Sequence, residues 1–294
     1  MSEEKFQGLF TALITPFFKG AVDYDSLKKL IHLQISGGIQ GFVVNGTTAE
    51  SPTLTEEEVR QIYTFVRKEV GHDFPIVLGT GSNSTNKTIS LTRYAAEWGA
   101  DGALVVVPYY NKPTQEGLFL HFKSVAESCD LPIVLYNVPG RTITALDAET
   151  ISRLSEIKRI VGIKEASGDM NFITELTEKC ESGFSFSSGD DGSFLNFMAL
   201  GGNGVISVVS HLIPKELREL MSEVKNSPDE VREKYKKYDS LLNAIYCEPN
   251  PIPIKMALYL KGIIRSPEMR LPLTEMTERN TMVLKKEMQS LGLI

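Results

Sequence analysis

The sequence contains few cysteines, and their spacing excludes two classes of small structural site. Three cysteines occur among the 294 residues, Cys129, Cys180 and Cys247; they lie far apart and form no CxxC pair or Cys/His ligand pattern. A zinc site or a disulfide framework needs cysteines at short, regular spacings. We therefore expect three ordinary thiols in a reducing compartment, which indicates a cytoplasmic protein.

Basic charge and long apolar runs are also scarce. Lysine and arginine total 31 against 37 acidic residues, so the formal net charge of −6 leaves no basic surplus to neutralise phosphates. No stretch approaches the roughly 18 to 20 apolar residues that cross a bilayer. We therefore expect neither a nucleic acid nor a membrane as partner, and a small-molecule substrate is favoured.

Glycine-rich nucleotide motifs are absent, and eight short apolar runs alternate with stretches of helical period. Short runs rich in Val and Ile, without polar alternation, are typical of parallel strands covered on both faces. Eight strand–helix units favour a closed (β/α)8 TIM barrel, an α/β fold, over a doubly wound sheet. The predicted strands are 9–14, 41–44, 75–78, 103–107, 132–135, 160–163, 184–187 and 204–207.

The chain beyond residue 209 carries helical signals and no further run of this kind. Ser227, Pro228 and Glu230 form a helix start, with proline at the first helical position. A second helix start lies earlier, where Thr55 and Glu58 have the spacing of a capping box. We expect a catalytic barrel over 1–208 and a C-terminal helical region over 209–294 packed on it.

Reactive groups of barrel enzymes lie at the carboxyl ends of the strands, which directs attention to Lys164. This lysine follows the apolar run 160–163 directly. Burial disfavours the charged form of a lysine, and a neutral amine can condense with a ketone or aldehyde to give an imine. The alternative is a lysine that reaches solvent or pairs with Glu165.

Two other strand ends carry three groups that complement an imine. The turn at Gly46-Thr-Thr48 offers N–H and hydroxyl donors for a small carboxylate, or it simply connects a strand to a helix. Tyr136 could pass protons through a hydroxyl such as that of Thr47, or it is a tyrosine of the barrel rim. Arg141 could clamp a second carboxylate, or it is a surface arginine. Together these groups suit the addition of a 2-oxo acid to another carbonyl compound.

Several longer motifs resemble the dihydrodipicolinate synthase family in order and spacing, and the resemblance runs nearly end to end. They read TALITP at 11–16, GTTAESPTL at 46–54, PYYNKPTQEG at 108–117, YNVPGRT at 136–142, GIKEAS at 162–167, SGDD at 188–191, EPNPIPIK at 248–255 and RLPL at 270–273. The resemblance implies a Schiff-base lyase that condenses pyruvate with aspartate 4-semialdehyde, the first committed step toward diaminopimelate and lysine. It implies no cofactor other than the covalent imine.

The resemblance also implies catalytic roles, position by position. Lys164 forms the imine with pyruvate, and Thr47 and Thr48 hold the pyruvate carboxylate. Tyr136, Thr47 and Tyr110 form a proton relay, in which Tyr110 reaches into the site of a neighbouring subunit.

Substrate contacts and assembly are implied in the same way. Arg141 meets the carboxylate of the incoming aldehyde, and Gly189 and Ile206 contribute to the substrate site. The implied assembly is a homotetramer made of two tight dimers.

Relatives within the superfamily remain as alternatives, namely N-acetylneuraminate lyase and 2-keto-3-deoxygluconate-type aldolases. They share the Gly-Thr-Thr turn, the tyrosine and the lysine. Tyr110 and Arg141 favour the synthase, because an arginine suits an aldehyde that bears a carboxylate. A barrel that binds ligand without turnover is a further alternative, against which the full set of reactive residues speaks.

One departure from the family concerns feedback by lysine. In lysine-inhibited members the effector site uses histidine and glutamate side chains; here Asn83 and Tyr109 match, but Glu56 and Val59 replace the histidines and Lys87 replaces the glutamate. Lys87 should repel the ammonium groups of lysine. We expect weak or absent inhibition by lysine.

A metal-dependent aldolase is disfavoured by the histidines. His32, His72, His121 and His211 are scattered, and only His211 falls near a strand end. Each suits a surface or packing position better than a ligand position. We expect no metal, because an imine supplies the electron sink itself.

Overall fold

Eight parallel strands form a closed barrel in a computed structural model, which describes residues 3–294. The ten strands of the described chain are β1 (Gly8–Ala12), β2 (Phe17–Phe18), β3 (Ala21–Val22), β4 (Gly41–Val44), β5 (Ile76–Gly79), β6 (Gly102–Val106), β7 (Ile133–Asn137), β8 (Ile160–Glu165), β9 (Ser185–Ser188) and β10 (Gly204–Ser207).

The strand order of the barrel is β1-β10-β9-β8-β7-β6-β5-β4, and β1 pairs in parallel with β4 to close it. This confirms the predicted (β/α)8 barrel. All eight predicted strands are present, with ends shifted by no more than two residues. The antiparallel pair β2–β3 was not predicted, because two-residue strands leave no periodic signal in a sequence.

Helices connect the strands and make up the chain after β10. They are α1 (Tyr24–Ser36), α2 (Glu56–Val70), α3 (Thr85–Glu97), α4 (Gln115–Glu127), α5 (Pro139–Thr142), α6 (Ala148–Ser155), α7 (Met170–Lys179), α8 (Phe194–Ala199), α9 (Pro214–Glu223), α10 (Pro228–Tyr235), α11 (Asp239–Ile245), α12 (Ile252–Leu260) and α13 (Glu278–Ser290). Short 3-10 helices lie at Glu3–Phe6, Thr47–Ala49, Ser51–Thr53, Val209–His211 and Lys236–Tyr238.

Both predicted helix starts are confirmed. Thr55 caps α2 through its side chain, which accepts from the Glu58 backbone N–H, while the Glu58 carboxylate accepts from the Thr55 N–H. Helix α10 begins at Pro228 after the N-cap Ser227. Both starts follow from local chemistry, which explains why the sequence alone predicts them.

The chain comprises two compact units, each of which draws on separate segments. One contains the residues up to Leu9 and Pro75–Ile206, and the other contains Phe10–Phe74 and Ser207–Ile294. The first holds β5 to β9, and the second holds β4 and all the helices from α9 onward. The division of the chain into a barrel over 1–208 and a helical region over 209–294 stays a prediction.

Strands β4, β7, β9 and β10 are buried at every residue. In β4, β7 and β10 this burial agrees with largely apolar sequences, whereas β9 reads Ser-Phe-Ser-Ser and buries three serines. Each buried strand must leave one set of side chains inside the barrel and the other set against the helices. Polar residues within these strands are therefore candidates for function.

Candidate active site

Lys164 and Tyr136 lie side by side on neighbouring strands of the first unit. They are register partners on β8 and β7, and the Lys164 Nζ atom is 4.4 Å from the centroid of the Tyr136 ring. Both residues are buried, with 6% and 7% of their surface exposed. Strand β8 extends to Glu165, so Lys164 is part of the strand, whereas the sequence predicted a strand that ends at residue 163.

Glu165 does not pair with Lys164, although the sequence left that alternative open. Its carboxylate accepts from the Asn137 side-chain amide at 2.7 Å and from the Ser167 backbone N–H at 2.5 Å. Burial raises the pKa of Glu165, and the hydrogen bonds from Ser167 and Asn137 oppose that rise. Consecutive residues of a strand point to opposite faces, which separates the carboxylate from the amine.

Gly189 lies against the side chain of Lys164. A Cβ atom at position 189 would stand 2.8 Å from Lys164 Cε and 2.7 Å from the Ala166 side chain. The Gly189 backbone N–H donates to the Glu165 carbonyl oxygen at 2.7 Å, which fixes the position of Gly189 after β9. Ile206, at the end of the same unit, is a buried residue of β10.

Arg141 lies in the single-turn helix α5, within the segment that follows β7, and its side chain is exposed. The Thr142 hydroxyl lies 3.0 Å from the Val138 carbonyl oxygen and 2.7 Å from that of Thr144. Ile143 has a φ of 64°, an uncommon value for a β-branched residue. The segment therefore has a defined conformation that presents Arg141 to solvent.

Tyr110 is the most exposed of the large hydrophobic side chains in the described chain. It lies in the loop after β6 with a φ of 74°, and 87% of its surface is exposed. The Asn111 amide donates to the Asn83 carbonyl oxygen at 2.8 Å and holds the loop beside its neighbour. A tyrosine in the left-handed region costs backbone energy, so the surrounding loop must maintain this conformation.

The Gly-Thr-Thr turn belongs to the second unit. Thr47 and Thr48 lie in a 3-10 helix after β4, and Thr48 is buried at 3% exposure. The Thr48 hydroxyl accepts from the Asn250 side-chain amide at 2.9 Å, which links the turn to the segment before α12. The hydrogen bond from Asn250 thus helps to hold the Gly-Thr-Thr turn in place within the second unit.

A buried ion pair stabilises the end of this turn, and sequence analysis gave its members no role. Lys255 donates to Glu50 at 2.6 Å and to the Glu268 carbonyl oxygen at 2.6 Å. Its Nζ also lies 4.3 Å from the centroid of the Phe17 ring. Burial lowers the pKa of Lys255, although the charge of Glu50 opposes that change. The spacing of 205 residues between the partners explains why the pair has no local signal.

Arg270 extends this network to the start of α2. Its backbone N–H donates to Glu50 at 2.9 Å, and its guanidinium donates to both carboxylate oxygens of Glu58, at 2.6 and 2.9 Å. The hydrogen bond from Arg270 lowers the pKa of Glu58 to about 2, against the effect of burial. Arg270 therefore holds the segment between β4 and α2 at two points, Glu50 and Glu58.

The two buried histidines have packing roles. His211 is fully buried; its Nδ1 lies 2.8 Å from the Val208 carbonyl oxygen, and its Nε2 accepts from the Ile14 N–H. Burial lowers the pKa values of His211 and His121 to about 4. Both are neutral near pH 7.

No group of three or more potential metal-ligating side chains occurs among the described residues. No helix within residues 3–294 is long and apolar enough to cross a membrane.

Comparison with known proteins identifies the family. A sequence profile described as the dihydrodipicolinate synthetase family matches residues 5–291. The chain belongs to this family. Its members are pyruvate-dependent lyases of the aldolase type, so the chain is an enzyme.

Individual relatives cover the whole length. The 4-hydroxy-tetrahydrodipicolinate synthase of Bdellovibrio bacteriovorus is 49% identical, with 99% of this chain and 100% of the relative covered. The dihydrodipicolinate synthase structure from Thermotoga maritima is 41% identical with a TM-score of 0.96, covering 99% and 100% of the two chains. A chloride-inhibited family member from Acinetobacter baumannii, solved with pyruvate, is 42% identical with a TM-score of 0.94, covering 98% and 99%.

Proposed function

We propose that this chain condenses pyruvate with aspartate 4-semialdehyde to give 4-hydroxy-tetrahydrodipicolinate, a step toward diaminopimelate and lysine. The observation that supports this most directly is the buried pair of Lys164 and Tyr136, with the amine 4.4 Å from the ring. The full-length relatives are named for this reaction.

Lys164 is the nucleophile in this proposal. Its Nζ attacks the keto carbon of pyruvate, and loss of water gives an imine. The protonated imine withdraws electrons, so a methyl proton of the pyruvate unit can leave to give an enamine. The position of Lys164 near the carboxyl end of β8, with its amine beside the Tyr136 ring, supports this role.

The enamine carbon then forms the new carbon–carbon bond with the aldehyde carbon, and the aldehyde oxygen takes a proton. The amino group of the aldehyde substrate attacks the imine carbon, closes the ring and releases the Lys164 amine. Thr47, Tyr136 and Tyr110 relay the protons in this proposal. The exposure of Tyr110, at 87%, is consistent with a side chain that completes a neighbouring subunit's site.

Carboxylate recognition is assigned to two different elements. Thr48 and Thr47 hold the pyruvate carboxylate through turn N–H and hydroxyl groups. Arg141 binds the carboxylate of the aldehyde, for which its exposed guanidinium on α5 is suited. Gly189 leaves the space that the Lys164 adduct needs, and Ile206 contributes an apolar wall.

A homotetramer in the cytoplasm is part of the same proposal. Scattered free cysteines are expected in a reducing compartment. Sedimentation equilibrium tests the assembly, and a mass of one chain at micromolar concentration would contradict it. A Y110F variant that has lower activity but the same assembly mass as the wild type would support the relay role of Tyr110.

Trapping of the imine tests the central step. The protein is treated with pyruvate and sodium borohydride, and the modified peptide is mapped by mass spectrometry. We expect the adduct on Lys164, its loss in K164M and its retention in K158M, which alters an exposed lysine six positions earlier. An adduct on another lysine, or none, would contradict the proposal. Turnover with aspartate 4-semialdehyde then tests the acceptor.

A further inference from the structure

Strands β7 and β8 carry a second polar pair on the face opposite Tyr136 and Lys164. Asn137 and Glu165 are also register partners, each one residue further along its strand. Because side chains alternate along a strand, this pair lies away from the reactive pair. Asn137 and Glu165 are buried at 2% and 3% exposure, so their hydrogen bonds are shielded from water.

The hydrogen bonds of this pair form a short chain that begins and ends at backbone N–H groups. The Leu146 N–H donates to the Asn137 side-chain oxygen at 3.0 Å. The Asn137 amide nitrogen donates to one oxygen of Glu165, and the Ser167 N–H donates to the other. Backbone donors cannot reverse, so the orientation of the Asn137 amide is fixed and Glu165 must accept at both oxygens.

One end of this chain of hydrogen bonds holds the segment that carries Arg141. Asn137 precedes the segment and Leu146 ends it, so the bond between them closes a loop around α5. Gln115 supports the same end, where its side-chain amide donates to the Ala145 carbonyl oxygen at 2.8 Å. Within the loop, Ile143 has the unfavourable φ of 64°, which the anchors must maintain.

We infer that Glu165 is a positioning residue that acts through Asn137 on the Arg141 segment and so determines binding of the acceptor aldehyde. It touches neither substrate in this inference. The inference rests on the proposed function, since it concerns the residue to which the aldehyde carboxylate is assigned.

The isosteric substitution E165Q tests the hydrogen-bond pattern without a change of shape. A glutamine amide has one donor end. In one arrangement the NH2 group of the new glutamine faces the Ser167 N–H, and in a second it faces the NH2 group of Asn137. In a third, the Asn137 amide rotates to accept from the new glutamine, and its own NH2 group then faces the Leu146 N–H. Each arrangement sets two donors against each other, so one buried bond is lost wherever the conflict settles.

The paired substitution E165Q with N137D removes the conflict. The carboxylate at position 137 accepts from the Leu146 N–H and from the amide at position 165, whose oxygen accepts from the Ser167 N–H. All donors are again matched, and the net charge equals that of the wild type. N137D alone places two carboxylates together and is the matched control.

Steady-state kinetics and pyruvate trapping on the full-length variants provide the readout. We expect E165Q and N137D each to raise the KM for aspartate 4-semialdehyde about tenfold, the factor that corresponds to one lost buried hydrogen bond. Trapping of the pyruvate imine should stay within about twofold of the wild type, and the paired variant should restore the aldehyde KM to within about threefold.

Three outcomes would overturn the inference. The first is an aldehyde KM of E165Q that equals the wild-type value. The second is an equal loss of pyruvate trapping, because Glu165 would then act on the Lys164 strand. The third is a folded paired variant with a raised aldehyde KM, which remains decisive even if E165Q alone does not fold. Failure of the proposed function is distinguishable, since the wild type itself would then trap no pyruvate or convert no aldehyde.

Discussion

The substitution K255M should strongly destabilise the second unit, because it leaves a carboxylate buried without its cation. Lys255 and Glu50 have side chains that are 0% and 1% exposed. Methionine has a similar length and apolar character, so the change removes the charge and the donors while it largely preserves the volume. The Glu50 oxygen that accepts from Lys255 would lose that bond, and its other oxygen would retain the Arg270 N–H.

The structure indicates the size of the effect. Breaking a buried ion pair by removal of one partner typically costs about 3 to 5 kcal/mol, mostly because an uncompensated charge remains. The lost hydrogen bond to the Glu268 carbonyl oxygen and the lost contact with the Phe17 ring act in the same direction. We therefore expect a loss of about 3 to 5 kcal/mol in the free energy of unfolding.

Urea unfolding at one fixed protein concentration measures this loss, since the stability of the proposed tetramer would depend on concentration. K215M, which removes an exposed lysine of α9, is the matched control and should change stability by less than about 0.5 kcal/mol. The double variant K255M with E50Q should recover part of the loss, because no buried charge remains. A loss below about 1 kcal/mol for K255M would refute the reasoning.

Acid should also destabilise the protein: the folded-state pKa of Glu58 is about 2 against an ordinary 4.5, because Arg270 donates to its carboxylate. The stability that the Glu58 carboxylate contributes is present above about pH 4.5 and is lost as the pH falls toward 2. As the pH is lowered through this range, the urea midpoint of E58Q should therefore fall less steeply than that of the wild type. G189A should lower pyruvate trapping at least about tenfold, since the new Cβ would stand 2.8 Å from Lys164 Cε. Lysine should inhibit turnover weakly or not at all, because we expect Lys87 to repel its ammonium groups.

Controls and contradicting outcomes are specific to each case. A urea midpoint with the same pH dependence in E58Q and the wild type would contradict the acid prediction. The control variant G192A alters a glycine three positions after Gly189. Its new Cβ atom would meet only the Asp190 carboxylate oxygens, at 3.5 Å or more, so this variant should trap pyruvate normally. Equal trapping by the two glycine variants would show that Gly189 is not needed for space. Half-maximal inhibition at sub-millimolar lysine would contradict the feedback prediction.

The barrel could be predicted from the sequence because each strand carries its own signal. The run 41–44 is apolar throughout and 204–207 is apolar except for Ser207, and the structure has strands with those bounds. The capping box of Thr55 and Glu58 is equally local. Lys164 could be proposed as a site residue for the same reason, since a lysine at the end of an apolar run stands out without knowledge of the fold.

The supporting contacts could not be predicted, because they depend on register and on distant parts of the chain. The pairing of Asn137 with Glu165 requires a shift in register near Ile133, which no composition reveals. Glu50 and Lys255 are 205 positions apart. Conformations such as the left-handed Tyr110 follow from the surrounding loop rather than from the residue itself.

The two buried lysines show why burial alone does not identify a nucleophile. Lys255 is the more deeply buried, yet its amine donates to Glu50 and to the Glu268 carbonyl oxygen, and the adjacent carboxylate favours the charged form. Reaction with a ketone would require loss of both bonds and of the ion pair. Lys164 has an aromatic ring beside its amine, and no carboxylate among residues 3–294 forms an ion pair with it. Reaction at its amine therefore breaks no ion pair, which supports Lys164 as the proposed nucleophile despite its slightly greater exposure.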